Sequence, residues 1–229
     1  DAQQVLQRFE VHAFDETFEL MPGVQASLRY AGHILGAASV QVRWRGGSLL
    51  CSGDLGRDDD LLMRPPVPPP ESQTVLIEST YGGREPPKDE PMQALAEVVN
   101  RTAARGGVVI VPAFAVGRAQ ALLHCLAQLK QAGRIANVPI FLNSPMATDA
   151  TRIYQQHCSE HRLSAQQCRA LGSVATIVNT VEQSQRLNDL RAPAVIVSAS
   201  GMATGGRVVH HLKAYRESGA RCPAEGGSG

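Results

Sequence analysis

The segment from Ala31 to Asp54, AGHILGAASVQVRWRGGSLLCSGD, constrains the fold most. Val40, Val42 and Trp44 alternate with Gln41, Arg43 and Arg45, the two-residue period of a half-buried strand. Gly46-Gly47 then offers a tight connection able to take positive φ, and Ser48 to Ser52 returns as a second strand. The hairpin delivers Asp54 beside the Gly-bounded turn that carries His33. Taken singly, a histidine among glycines and an aspartate in SGDLG are both ordinary turn residues. A second acid, Glu78, follows the apolar run Thr74 to Ile77, read as a buried strand. Imidazole and carboxylate at the ends of neighbouring strands are zinc-binding chemistry, and a carboxylate can bridge two metals. A bridged pair acidifies a shared water and clamps both oxygens of a phosphoryl displacement.

The grammar of the chain changes after Tyr81. Before it, Phe14–Leu20, Gln25–Tyr30 and the hairpin form antiparallel sheet, preceded by a helix end over 1–9. A loop from Leu55 to Ser72, acidic at Asp58-Asp59-Asp60 and rich in proline from Pro65, is long enough to wrap a surface or border a site. Beyond Tyr81, helices over 92–105, 119–131, 147–157, 182–190 and 207–215 alternate with apolar strands at 108–111, 139–142, 175–178 and 194–198. Continuous rather than alternating strands between helices imply a mainly parallel sheet covered on both faces. The chain is thus α/β in two domains, divided where glycine, proline and charge cluster between Gly82 and Pro91. The expected parts are 1–82, 83–200, a return helix over 201–216 directed toward the first domain, and a flexible glycine-rich tail over 217–229.

Bulk properties narrow the partners. A net charge of +1 gives no global basic field, so nucleic acid would be held in a local groove. Aromatics at 4% argue against a base-stacking sheet. Five cysteines without CxxC read as reduced, buried thiols, with Cys51 and Cys125 in the core. No signal peptide is read, and no apolar run approaches the ~20 residues of a membrane span; a cytoplasmic location with no membrane partner is expected. His157 and His161 share a helical spacing and read as a surface pair. Adjacent His210 and His211 point about 100° apart on a helix and cannot clamp one metal together. There is no GxSxG elbow, P-loop or dinucleotide fingerprint.

Six ordered motifs, AGHILGAA, SGDLGR, IESTYGGR, VPAFAVGRAQ, NSPMA and SASGMATGGRVVHHLK, resemble the β-CASP branch of the metallo-β-lactamase superfamily, the RNA-processing zinc nucleases. The resemblance covers residues 1 to 215. It implies a partial metallo-β-lactamase αββα sandwich followed by a β-CASP domain, and zinc-dependent hydrolysis of RNA, exo- or endonucleolytic. It implies that His33 ligates one zinc, that Asp54 bridges two, and that Glu78 positions a general-acid histidine. Ser144 with Pro145-Met146, and Ser200, Gly201 and Met202, would line the interdomain groove. Gly205-Gly206 at a helix start reads either as a phosphate seat or as a plain helix entry. Arg118 reads as a phosphate contact or as a structural ion-pair partner. The resemblance places an HxHxDH segment before residue 1, for which VHAFDE around His12 does not substitute, and FSAH- and HGE-type segments after residue 215. Tyr81-Gly82-Gly83-Arg84-Glu85-Pro86 stands where YGDRxH is usual, and Asn143 where DSPMA has aspartate. The chain is therefore expected to hold a minority of the zinc ligands, to be inactive by itself, and to associate through uncovered edges, as a homo-oligomer for example. The alternatives are a non-catalytic RNA-binding or scaffolding relative, or a metallo-hydrolase of small molecules.

Overall fold

The computed structural model describes residues 2–84 and 90–217. The chain divides into two compact units, Asp1–Glu85 and Pro86–Gly229. The expected tail over 217–229 lies, after its first residue, outside the described residues, as does Cys222.

The first unit begins with a short helix, α1 (Ala2–Leu6), and is built on a five-stranded sheet in the order β1 (Thr17–Met21), β2 (Val24–Tyr30), β3 (Ala38–Trp44), β4 (Gly47–Cys51), β5 (Thr74–Leu76). The first four strands are antiparallel; β5 pairs parallel to β4. The β3–β4 register pairs Trp44 with Gly47, so the connecting residues are Arg45-Gly46. Neither Gly46 nor Gly47 takes positive φ. Gly47 is needed for space instead: a Cβ there would lie 2.6 Å from Gln73 Oε1 and 3.0 Å from the Trp44 ring.

The run Thr74–Ile77 is not buried. Val75 and Leu76, on the edge strand β5, and Ile77 just after it are 54%, 65% and 66% exposed. The long loop after Asp54 wraps this sheet. Val67 N–H donates to Tyr30 O, and the Gln41 amide donates to Glu71 O and Ser72 Oγ. Its prolines roof a hollow of about 680 Å³ that reaches Ser52 and Leu55, next to Asp54.

The second unit is a four-stranded parallel sheet, ordered β6 (Val108–Pro112), β9 (Ala194–Ser198), β7 (Ile140–Asn143), β8 (Thr176–Ile177). Its helices are α2 (Pro91–Ala104), α3 (Arg118–Gln131), α4 (Pro145–Gln156), α5 (Ala165–Ser173), α6 (Val181–Arg186) and α7 (Arg207–Glu217). Val195, Ile196 and Val197 are successive and fully buried, so both faces of β9 are covered. Each such side chain contributes roughly 1.5–3 kcal/mol by burial.

The helix over 207–217 belongs to the second unit: Val208 and Tyr215 sit in one cluster with Val108, Ile110 and Ile196, and the Tyr215 hydroxyl donates to Leu187 O. Its apolar face is already occupied by this sheet. The helix α5, which apolar periodicity alone does not reveal, is marked by a capping box. The Ser164 hydroxyl accepts from Gln167 N–H, and the Gln167 side chain accepts from Ser164 N–H.

Candidate functional site

In the first unit the turn bearing His33 and the loop bearing Asp54 are interlocked. Gly56 N–H donates to Ala31 O at 2.8 Å, and a Cβ on Gly56 would overlap the Gly32 carbonyl and crowd His33 N. Gly32 and Gly53 both take positive φ, and a Cβ on Gly53 would lie 2.9 Å from Ala38 O. Glycine at these points lets two loops pack backbone to backbone, which fixes where His33 and Asp54 emerge; both side chains are exposed.

Glu78 is held from three sides. Its own N–H donates to Ser52 Oγ, its Oε1 accepts from Leu55 N–H at 3.0 Å, and its Oε2 accepts from Thr80 N–H at 3.2 Å. These bonds, chiefly that from Leu55, hold the carboxyl below the usual glutamate range, and the nearby His33 lowers it further. The residue that follows Asp54 is thus tied directly to Glu78.

In the second unit the remaining candidates gather at the carboxyl end of the parallel strands, where ligands of open α/β sheets bind. Arg118, exposed, opens α3 after Gly117, whose φ is positive. Ser144 is only 4% exposed, and its hydroxyl accepts from Ala147 N–H as the N-cap of α4.

The segment from Ala199 to Gly206 folds back on itself. Ser200 donates through N–H and Oγ to Gly205 O, and Val208 N–H donates to Ala199 O. Gly201 lies against Phe114, with room for no Cβ. Gly206 has φ +77° and would place a Cβ 2.7 Å from Ala199 O, whereas Gly205 faces open space. Met202 is 69% exposed.

Beneath this edge lies a buried polar network that sequence reasoning missed. Asn143, fully buried, donates through Nδ2 to Ser184 Oγ and His211 Nε2, and accepts at Oδ1 from Arg207 Nη1. His211 Nδ1–H in turn donates to Asn188 Oδ1. Burial, and then repulsion from His210 and from the Arg207 guanidinium, pushes the His211 pKa down to about 4, so the ring is neutral. Arg207 also donates to Val178 O and Asn179 O, pinning the start of α7 to the end of β8. The signal was Asn143 standing where the motif usually has aspartate. The buried amide of Gln120 similarly links α3 to α4 through Ala147 O and Thr151 Oγ1.

The expectations for cysteine and for His161 also change. Cys158 and Cys168 form a disulfide, Cys51 is half-buried and free, and Cys125 is buried with its thiol pushed up to about 11 by desolvation. His161 is 2% exposed rather than part of a surface pair. Cys158, His161 and Cys168 place their ligand atoms within 4.8 Å of one another. No other three His, Cys, Asp or Glu side chains converge so closely among the described residues, so His33, Asp54 and Glu78 do not close a metal cage by themselves.

Comparison with known proteins identifies the fold. Residues 119–219 match the Beta-Casp domain. A ribonuclease of Thermus thermophilus, TTHA0252, is 36% identical over 80% of this chain and 44% of its own length. The transcription termination factor FttA of Pyrococcus horikoshii is 33% identical over 93% of this chain and 34% of its own. An RNase J-like protein of Methanocaldococcus jannaschii is 27% identical over 95% of this chain and 52% of its own. The chain therefore spans about a third to a half of the length of these relatives. With six motifs in order, a two-sheet α/β fold and these matches, the chain belongs to the β-CASP branch of the metallo-β-lactamase family.

Proposed function

We propose that this chain forms part of a metal-dependent ribonuclease that hydrolyses RNA phosphodiester bonds. The observation that carries the reading is the interlock of the His33 turn, the Asp54 loop and Glu78 at the ends of β2, β4 and β5. His33 and Asp54 offer an imidazole and a carboxylate suited to zinc. Further ligands are to come from beyond the described residues, in keeping with the greater length of the relatives. When bound, zinc would supply Lewis acidity and a hydroxide at neutral pH.

The chain's own groups do the rest. Glu78, kept ionised by the N–H groups of Leu55 and Thr80, orients a proton donor for the leaving oxygen. In the second unit, Arg118 and the open backbone at Gly205 offer positive charge and N–H groups to RNA phosphates. Ser200 and Gly206 hold the shape of that loop, and Gly201 and Met202 stand at its rim. RNA is the substrate and the cytoplasm the place of action, in keeping with relatives named as a ribonuclease and as a transcription termination factor.

The test is cleavage of an end-labelled RNA by the polypeptide carrying these residues, with and without chelator. Asp54→Ala and His33→Ala are expected to abolish cleavage, and zinc to restore chelated wild type. A second reading, RNA binding without cleavage, rests on the three first-unit side chains not closing a cage by themselves. RNA retention that is indifferent to chelator, with no cleavage under any condition, would establish it instead.

A further inference from the structure

The cluster at the far end of α4 is not used by the proposed ribonuclease site. Its centre is surrounded by lone pairs. Cys158 Sγ lies 3.0 Å from Gln155 O, and Cys168 Sγ lies 3.7 and 3.8 Å from the Tyr154 and Gln155 oxygens. His161 Nε2 lies 2.9 Å from Tyr154 O and 4.0 Å from Cys168 Sγ. Both carbonyls belong to the last turn of α4, the negative end of the helix dipole, which favours a cation. The imidazole is held in place by packing against the Tyr154 ring, centroids 5.8 Å apart.

We propose that, in the reduced chain, Cys158, His161 and Cys168 bind a zinc-class divalent cation, and that the disulfide is the metal-free, oxidised form of the same site. A tetrahedral zinc with two thiolates and one imidazole needs roughly 3.8 Å between sulfurs and roughly 3.5 Å between sulfur and nitrogen. The cysteine Cα atoms are 6.4 Å apart, so opening the S–S bond to that spacing asks for side-chain rotation and little else. The spacing Cys-x2-His-x6-Cys spans the 3-10 turn Cys158–Glu160 and the start of α5. Either a carbonyl of the last turn of α4 or a water would complete the shell. Cys158 is half-buried and provides the route in, whereas Cys168 and His161 are buried.

Conversion is balanced by an external dithiol. Its two sulfurs are oxidised to a disulfide, the Cys158–Cys168 bond takes up two electrons, and two thiols form. Metal binding then releases both thiol protons to solvent. His161 must also move its ring proton from Nε2 to Nδ1, giving up the 3.3 Å bond that Leu163 N–H donates to Nδ1.

Cobalt(II) is the probe, because thiolate-to-cobalt charge transfer in the near ultraviolet reports sulfur ligation, which His33 and Asp54 cannot produce. The reduced, folded chain, with its free thiols counted by alkylation, is expected to bind one cobalt with this band, and zinc should displace it. Oxidation with a small disulfide should remove the band. Cys158→Ser, at the half-buried position, should abolish it and His161→Gln should weaken it at least tenfold, while His33→Ala leaves it unchanged. Three results would overturn the proposal: no band in a chain with both thiols free, a band that survives Cys158→Ser, or a disulfide that resists reduction while the chain stays folded. The band reads the Cys158–His161–Cys168 site alone, whatever the outcome of the RNA cleavage test of the proposed ribonuclease site.

Discussion

At the scale of single residues, His211 makes the sharpest prediction. The ring accepts from Asn143 and donates to Asn188, so it is buried neutral, with a pKa of about 4 against 6.5 in an open chain. The unfolded chain therefore takes up this proton first as pH falls. Stability from this group is complete above pH 6.5 and is lost on descending to about 4. The loss is on the order of 3 kcal/mol, and His124, also lowered by burial, adds to it. Urea titrations between pH 7 and 4 measure it. Asn143→Asp should flatten that slope, since a carboxylate beside His211 and Arg207 favours the protonated ring; an unchanged slope would show that another group carries the acid sensitivity. Gly56→Ala tests the interlock of the His33 and Asp54 loops. A methyl there meets the Gly32 carbonyl, which cannot yield without moving the turn, and a loss of about 2–3 kcal/mol is expected in the melting of the first unit.

At the scale of elements, what could be read from the sequence depended on how local its cause was. The existence of the strand Ala38–Trp44, the continuous apolar strand Ala194–Ser198 and the helix expected over 207–215 follow from near neighbours and were legible, but the buried face of β3 was not: Ser39 and Gln41 are buried, Val40 and Val42 only half-buried, and Trp44 is 47% exposed. The helix α5 was legible in principle, since Ser164 and Gln167 stand at capping-box spacing; Ser164→Ala should cost about 1 kcal/mol in chemical denaturation. The exposure of β5 was not legible, because Val75 and Leu76 are as apolar as any core strand and only sheet order makes them an edge. The Asn143–Arg207–His211 network was hidden for a related reason: its partners lie 64 and 68 residues apart. The Cys158–Cys168 link closes a short loop between α4 and α5. Reducing it in the absence of metal should lower stability by about 3 kcal/mol, read as a shift in urea midpoint on adding a reductant.

At the scale of the molecule, the chain divides into two compact units, each with candidate residues of its own. His33, Asp54 and Glu78 stand at strand ends of the first, while Arg118 and the 199–206 loop stand at the carboxyl edge of the parallel sheet of the second. The apolar edge at Val75, Leu76 and Ile77 should drive concentration-dependent association of the isolated chain. Sedimentation should show it, and Leu76→Lys should suppress it. The central claim is that this fold serves metal-dependent RNA hydrolysis through His33, Asp54 and Glu78. It is tested most directly by the rate of RNA cleavage by the polypeptide carrying these residues, compared between wild type and Asp54→Ala with zinc present. The account predicts a fall of at least about a hundredfold, the scale of losing a metal ligand or its support, with folding unchanged. Cleavage at the wild-type rate by the Asp54→Ala protein would contradict it.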